Sequence, residues 1–224
     1  MIIVIANSKG GVGKSTIAVH LAAWLSEQGY GVTLADCDAQ QSSSDWAREA
    51  APDVRTVRLA NADEILDRLP LLAAETDFVV ADGPGSNAET SRALLLRADL
   101  AIVPCKASML EARALTQATN VLRQAQDIRG GAPRAMIVLS MVGKNYRLTQ
   151  DMRDAATTLE LPLAQTALTL RQVYADAPGQ GAVVWQLASR GREAAAEVES
   201  LFNELLPETH TARLSRRLAG TAAS

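Results

Sequence analysis

Short apolar runs alternate along the chain with longer stretches in which apolar residues recur every three or four positions. The short runs are Ile2–Ala6, Val32–Asp36, Val54–Leu59, Phe78–Asp82, Leu100–Pro104, Ala135–Met141 and Leu163–Thr166. Continuous apolar runs rich in β-branched residues read as strands buried on both faces. The periodic stretches lie at 15–28, 43–50, 62–74, 88–97, 109–127, 149–159 and 190–206. In the first of them Ile17, Leu21, Ala22 and Leu25 share one helical face, and Gly29 is a natural stop. Strand and helix in alternation predict an α/β fold: a mostly parallel twisted sheet with helices on both faces. No repeat, low-complexity linker or break in composition divides it. A single domain is expected over 1–206, followed by a polar, basic tail at 207–224.

Composition narrows the picture only slightly. The chain has 224 residues, 48% hydrophobic and 21% charged, as in ordinary soluble globular proteins, and enough to bury a large core. No apolar run approaches the roughly 20 residues needed to span a bilayer. The chain opens on a core strand, so no signal peptide is expected. Cys37 and Cys105 each sit beside a strand-like run and form no C-x-x-C pair, which reads as two buried thiols in a reducing compartment. The net charge of −3 means that any nucleic-acid contact must use a local patch. Of the 22 basic residues only four are lysines, and two of those four stand within six residues of each other, Lys9 and Lys14.

Those two lysines frame Ser8-Lys9-Gly10-Gly11-Val12-Gly13-Lys14-Ser15-Thr16, between the first strand and the first helix. Strand, glycine-rich turn and helix are the setting of a phosphate-binding loop, so the fold is expected to be that of a P-loop NTPase. Glycines at 10, 11 and 13 let backbone N–H groups curl around a phosphate, and the helix N-terminus adds positive potential. Lys14 is placed to reach β- and γ-phosphates, and the Ser15 hydroxyl to ligate Mg²⁺. Ser8 stands where the general pattern has glycine, so the loop fits the variant x-K-G-G-x-G-K-[ST].

Three aspartates end apolar strands. Asp82 closes Phe78-Val79-Val80-Ala81 and is placed to hold Mg²⁺ directly or through water. Asp36 and Asp38 close Val32-Thr33-Leu34-Ala35; one can orient the magnesium shell and the other position an attacking water, or the pair can simply begin a turn. Gly83-Pro84-Gly85-Ser86 follows as a tight turn with room for a γ-phosphate. His20, His210, Trp24, Trp46 and Trp185 have no ligand-spaced partners and read as packing or tail residues.

On these residues the chain resembles the ParA/MinD family of ATPases. Residues 8–16 look like its deviant Walker A box, and Asp36-Cys37-Asp38-Ala39-Gln40 is similar to its D-x-D-P-Q segment, with Ala39 where proline is common. Asp82-Gly83-Pro84-Gly85-Ser86 resembles the Walker B turn of small plasmid-partition ParA proteins. Ile102-Val103-Pro104 with Ser108, Leu110 and Glu111 resembles the segment after the fifth strand, and Thr169–Tyr174 a late segment near the base. The resemblance runs in order over about 1–190. It implies that Lys9 reaches across a homodimer interface to the partner's phosphates, so that ATP joins the subunits and hydrolysis releases them. It implies that Gly10, Gly11, Val12, Gly13 and Lys14 hold the phosphates and that Thr16 contacts the α-phosphate. Asp38 would position water; Ser15, Asp36 and Asp82 would serve the metal; Pro104, Arg171 and Val173 would lie near adenine.

The first strand begins at Ile2, which matches the short ParA form without an N-terminal helix-turn-helix. The function implied is an ATP-dependent dimerising switch that positions a plasmid, a chromosome region or a protein assembly through non-specific DNA binding. It would be a weak ATPase stimulated by a ParB-like, cargo-bound activator, and cytoplasmic, associating with the nucleoid in the ATP state. Arg190, Arg192, Arg213, Arg216 and Arg217 are the candidate DNA contacts; the tail arginines could equally belong to a frayed polar end. A MinD-like membrane-surface regulator is the alternative, and Leu214 and Leu218 bury too little for firm attachment. A nitrogenase-reductase-like enzyme would need paired cluster cysteines, which Cys37 and Cys105 do not provide.

Overall fold

Ile2–Ile5 forms β1, and every residue in it is buried. In the computed structural model its side chains divide between two core layers. Ile3 and Ile5 face a layer with Leu21, Trp24 and Phe202, while Ile2 and Val4 face one with Leu69, Leu94 and Leu122. A period of two with both faces apolar is what a fully covered parallel sheet demands. The structure describes residues 1–40, 42–85, 87–106, 109–143, 154, 157 and 162–209, with backbone only at 109–118.

The strands are β1, β2 (Val32–Asp36), β3 (Arg55–Arg58), β4 (Phe78–Asp82), β5 (Leu100–Lys106) and β6 (Arg134–Ser140). They are ordered β3-β2-β4-β1-β5-β6, and all neighbours are parallel. The helices are α1 (Lys14–Glu27), α2 (Ser42–Ala50), α3 (Ala62–Glu75), α4 (Ala88–Arg97), α5 (Met109–Ile128), α6 (Gln172–Gly179) and α7 (Ala188–Leu205). A short 3₁₀ turn, Val184–Gln186, precedes α7. The expected α/β sheet with helices on both faces is therefore present. No helix among the described residues is long and apolar enough to cross a membrane.

Two expectations change. Leu163–Thr166 is not a strand: only Leu163 bridges to Ile137, and Thr169 bridges to Val142. Pro162 has no N–H to donate, and Glu204 takes the amides of Gln165 and Thr166 at 2.7 and 3.0 Å, so those groups are diverted from a ladder. Helix α6 was not anticipated, because it is short and ends on Pro178 and Gly179. The helix expected at 149–159 lies outside the described residues except for Asp154 and Thr157. Past α7, Leu206 and Thr209 remain buried, so the packed region runs slightly into the stretch assigned to the tail.

Candidate functional site

The loop between β1 and α1 is clamped from below by its neighbours in the sheet. Asn7 is buried; its Nδ2 donates to the Pro104 carbonyl at 2.7 Å and its Oδ1 accepts the Lys9 N–H at 2.9 Å. Ser140, at the end of β6, donates its hydroxyl to the Val12 carbonyl at 2.7 Å. Gly11 and Gly13 hold φ of 67° and 89°, where a side chain would be strained. Lys14 is buried, and its Nζ donates to the Lys9 carbonyl at 2.8 Å. The result is a preformed cradle opening on a cavity of about 800 Å³, whose walls include Gly10, Gly13, Lys14, Ser15, Thr16 and Asp38. Lys9 is different. Its side chain is exposed and lines a neighbouring hollow instead, beside Asn87 and Ser91.

Sheet register brings the carboxylates together. Asp36 pairs with Asp82 across β2 and β4, and Asp82 with Ile5 across β1 and β4, so both acids lie at the carboxyl ends of central strands beside the loop. Asp36 accepts the Ser44 N–H at 2.9 Å on one oxygen and the Asp38 N–H at 3.2 Å on the other, tying β2 to the start of α2. Asp38 is half-buried on the cavity wall and accepts the Gln40 N–H at 3.0 Å.

Asp82 is fully buried, and neither of its oxygens meets a donor at hydrogen-bonding geometry. Burial pushes its carboxyl up to about 7; the nearby Ser15 and Ser43 hydroxyls oppose the rise, Asp36 adds to it, and Lys14 opposes it. A buried carboxylate with no donor is costly, and beside a Ser15 hydroxyl it suits a hard cation such as Mg²⁺. The Cys37 thiol is pushed up, first by burial and then by the charges of Asp82 and Asp36, so it is a poor nucleophile. Gly83 is required by space: a Cβ there would stand 2.7 Å from the Ile5 carbonyl oxygen.

A second chamber of about 260 Å³ shares Gly13, Thr16 and Met141 with the first and is lined by Leu168, Thr169, Arg171 and Tyr174, among others. Of the residues expected near a base, Arg171 is on its wall. Pro104 is buried inside β5, paired with Val138, and Val173 is buried in the core; neither lines either chamber. Their places follow from strand register and helix face, which the short motifs do not encode. Tyr174 hydrogen-bonds to the Ala194 carbonyl and to Glu197 of α7, at 3.2 and 3.3 Å. Arg171 pairs with Glu197 at 2.8 Å and also with Glu193.

His20 sits against the backbone of Thr16, a residue that lines both chambers. Its Nδ1 lies 2.7 Å from the Thr16 carbonyl and its Nε2 accepts the Val184 N–H at 3.1 Å, which sets the neutral Nδ1–H tautomer. Trp46, Trp185 and Tyr174 meet it edge-on, with ring centroids 5.3, 5.5 and 6.0 Å away. Reading the sequence as packing alone missed this double link; its one signal is a polar residue on an otherwise apolar helix face. Arg190 and Arg192 are exposed on α7, and Arg190 donates to the Gln180 side chain at 3.1 Å. Arg213, Arg216 and Arg217 lie outside the described residues, as does Ser108.

Comparison with known proteins follows the same lines. Residues 3–184 match the CobQ/CobB/MinD/ParA nucleotide binding domain. The chain is 31% identical over 208 residues to the maintenance of carboxysome distribution protein A of Halothiobacillus neapolitanus, covering 91% of this chain and 95% of that one. It is 25% identical to Protein ParA of Rhizobium radiobacter over 203 residues, covering 89% and 91%. Among solved structures, apo McdA from Cyanothece superposes with a TM-score of 0.76 at 16% identity, covering 93% of this chain and 98% of that one. The Mg-ADP complex of the septum site-determining protein MinD from Pyrococcus horikoshii superposes with 0.67 at 20% identity, covering 91% and 94%. With its clamped phosphate loop, paired strand-end acids and parallel sheet, this chain belongs to the CobQ/CobB/MinD/ParA nucleotide-binding family, among the P-loop ATPases of ParA/MinD type.

Proposed function

We propose that the protein is an ATP-dependent dimerising switch that positions cargo on DNA. The observation that carries the reading is the contrast between the two lysines of the loop. Lys14 is buried and turned onto the loop, whereas Lys9 is exposed and outside the phosphate cavity of its own subunit. A cation held in that way is available to the phosphates of a second copy, in the manner of an arginine finger. The loop amides and Lys14 hold the β/γ-phosphates, Thr16 the α-phosphate, and Asp38 orients the attacking water.

Ser15 and Asp82 are the residues that would hold Mg²⁺, with Asp36 held at their side by two backbone amides. When bound, the ion supplies positive charge to the phosphate oxygens. The base occupies the second chamber. Loss of the γ-phosphate removes the anion that Lys9 of the other copy meets, and the dimer separates.

A cargo-bound, ParB-like partner stimulates this hydrolysis. The ATP dimer binds DNA without sequence preference through Arg190 and Arg192, joined by Arg213, Arg216 and Arg217 of the 207–224 tail, and is therefore cytoplasmic and nucleoid-associated. The relative from Halothiobacillus is named for carboxysome distribution, which favours a protein assembly as the cargo.

Sedimentation with ADP, ATP and a slowly hydrolysed analogue tests the reading. The parent chain is expected to dimerise only with the triphosphates. Lys9→Ala is expected to bind nucleotide and stay monomeric; a Lys9→Ala dimer formed with ATP would exclude the trans-lysine mechanism.

A further inference from the structure

We infer that Glu197, on α7 and outside the chamber wall, is the positioning residue that sets base preference. The inference rests on reading the smaller chamber as the base site. One carboxylate collects five donor contacts from three residues of that wall. Thr169 gives its N–H at 3.2 Å and its hydroxyl at 2.8 Å. Arg171 gives Nε at 3.1 Å and Nη2 at 2.8 Å, and Tyr174 gives its hydroxyl at 3.3 Å. Thr169, Arg171 and Tyr174 all line the chamber, whereas Glu197 does not.

The Glu197–Arg171 pair is the best shielded of the described ion pairs, with side chains 17% and 30% exposed. Burial alone would raise the Glu197 carboxyl, but the Arg171 and Thr169 hydrogen bonds outweigh it and hold the group below the usual range. A carboxylate satisfied in this way is rigid, and so are its donors.

The chemistry of the wall follows. Most of the chamber is apolar, with Leu168, Met141 and Pro178 among its residues, which suits the face of a flat heterocycle. The polar edge is what distinguishes one purine from another. Glu197 takes the proton of the Thr169 hydroxyl and shares that of Tyr174 with the Ala194 carbonyl, so those oxygens are left as acceptors. An acceptor edge accommodates the 6-amino donor of adenine and opposes the 6-oxo acceptor of guanine. Without Glu197 the Thr169 hydroxyl is free to rotate and donate, Arg171 is left with Glu193 alone and Tyr174 with the Ala194 carbonyl, and the edge discriminates less.

Calorimetric titration of the full-length chain with ATP, GTP and inorganic tripolyphosphate, in Mg²⁺ and well below the melting temperature, tests this. The parent is expected to prefer ATP over both. Glu197→Ala is expected to lose about tenfold in ATP affinity and in the ATP-to-GTP ratio, while tripolyphosphate affinity stays unchanged. Glu197→Gln, which keeps one acceptor oxygen and the side-chain volume, is expected to fall between, and it carries the test if the alanine variant does not fold. A parent that binds tripolyphosphate as tightly as ATP overturns the base-chamber reading itself. A parent that prefers ATP, with both variants keeping that preference within twofold, overturns the role of Glu197 alone.

Discussion

Among single residues, His20 ties the acid stability of the molecule to its burial. Both ring nitrogens are committed in the neutral form, and Nε2 must release the Val184 N–H before it can take a proton. Burial lowers its pKa from 6.5 to about 4, against a smaller opposing effect of the Thr16 carbonyl. Between those values the unfolded chain binds the extra proton and the folded one does not. The contribution is therefore complete above pH 6.5 and is lost as pH falls toward about 4. Over that window the loss is on the order of 3 kcal/mol. Asp82, whose carboxyl is raised to about 7, acts in the opposite sense over part of the same range, so the His20 contribution is read as the difference in slope between the parent and His20→Leu in urea denaturation from pH 7 to pH 5. At this scale the phosphate loop was legible because its chemistry is local in sequence. Lys14, Ser15 and Thr16 line one cavity. Glu197 was not legible, because its partners lie 23 to 28 positions away and only tertiary packing joins them.

Elements are placed by where their backbones touch as much as by their apolar faces. Helix α7 crosses the Val184–Gln186 turn so closely that a Cβ at Gly191 would stand 1.7 Å from the Val184 carbonyl oxygen. Gly191→Ala must therefore push the helix off the turn, at an expected cost of about 1–3 kcal/mol or more. Gly179, at the end of α6, has nothing within 4 Å of such an atom and no positive φ. Gly179→Ala should be neutral or stabilise by roughly 0.4–1 kcal/mol, through reduced freedom of the unfolded chain. Denaturation midpoints should fall for Gly191→Ala and hold or rise for Gly179→Ala. The buried strands were readable as continuous apolar runs. Residues 163–166 misled for a physical reason: Leu163 and Ala164 have strand-like character, but Glu204 of α7 claims the amides that would have extended the ladder. The outer strand β3 carries Arg55 and Arg58, which pair with Glu75 and Asp45 and put charge along an open sheet edge.

At the scale of the molecule, the net charge of −3 decides how DNA binding must look if it occurs. The proposed contact runs through basic positions such as Arg190 and Arg192, so affinity should fall steeply with salt. Fluorescence anisotropy with an unrelated duplex and ATP should lose about one unit of log–log salt slope for Arg190→Ala, and similarly for Arg192→Ala. An unchanged slope removes that residue from the contact. The architecture was legible in the order of strands and helices.

The packing of α1 against α7 has a consequence for biosynthesis. Trp24 of α1 meets Phe202 of α7 edge-on at 5.5 Å, and Ala194, Val198, Leu201 and Leu205 complete the same core layer. A ribosome that has released only the first 180 residues has exposed the whole phosphate loop, yet the helix behind it still lacks its cover. ATP binding should therefore appear late during translation, after α7 emerges, and abruptly rather than in stages. The loop becomes competent only when α7, made much later, has arrived.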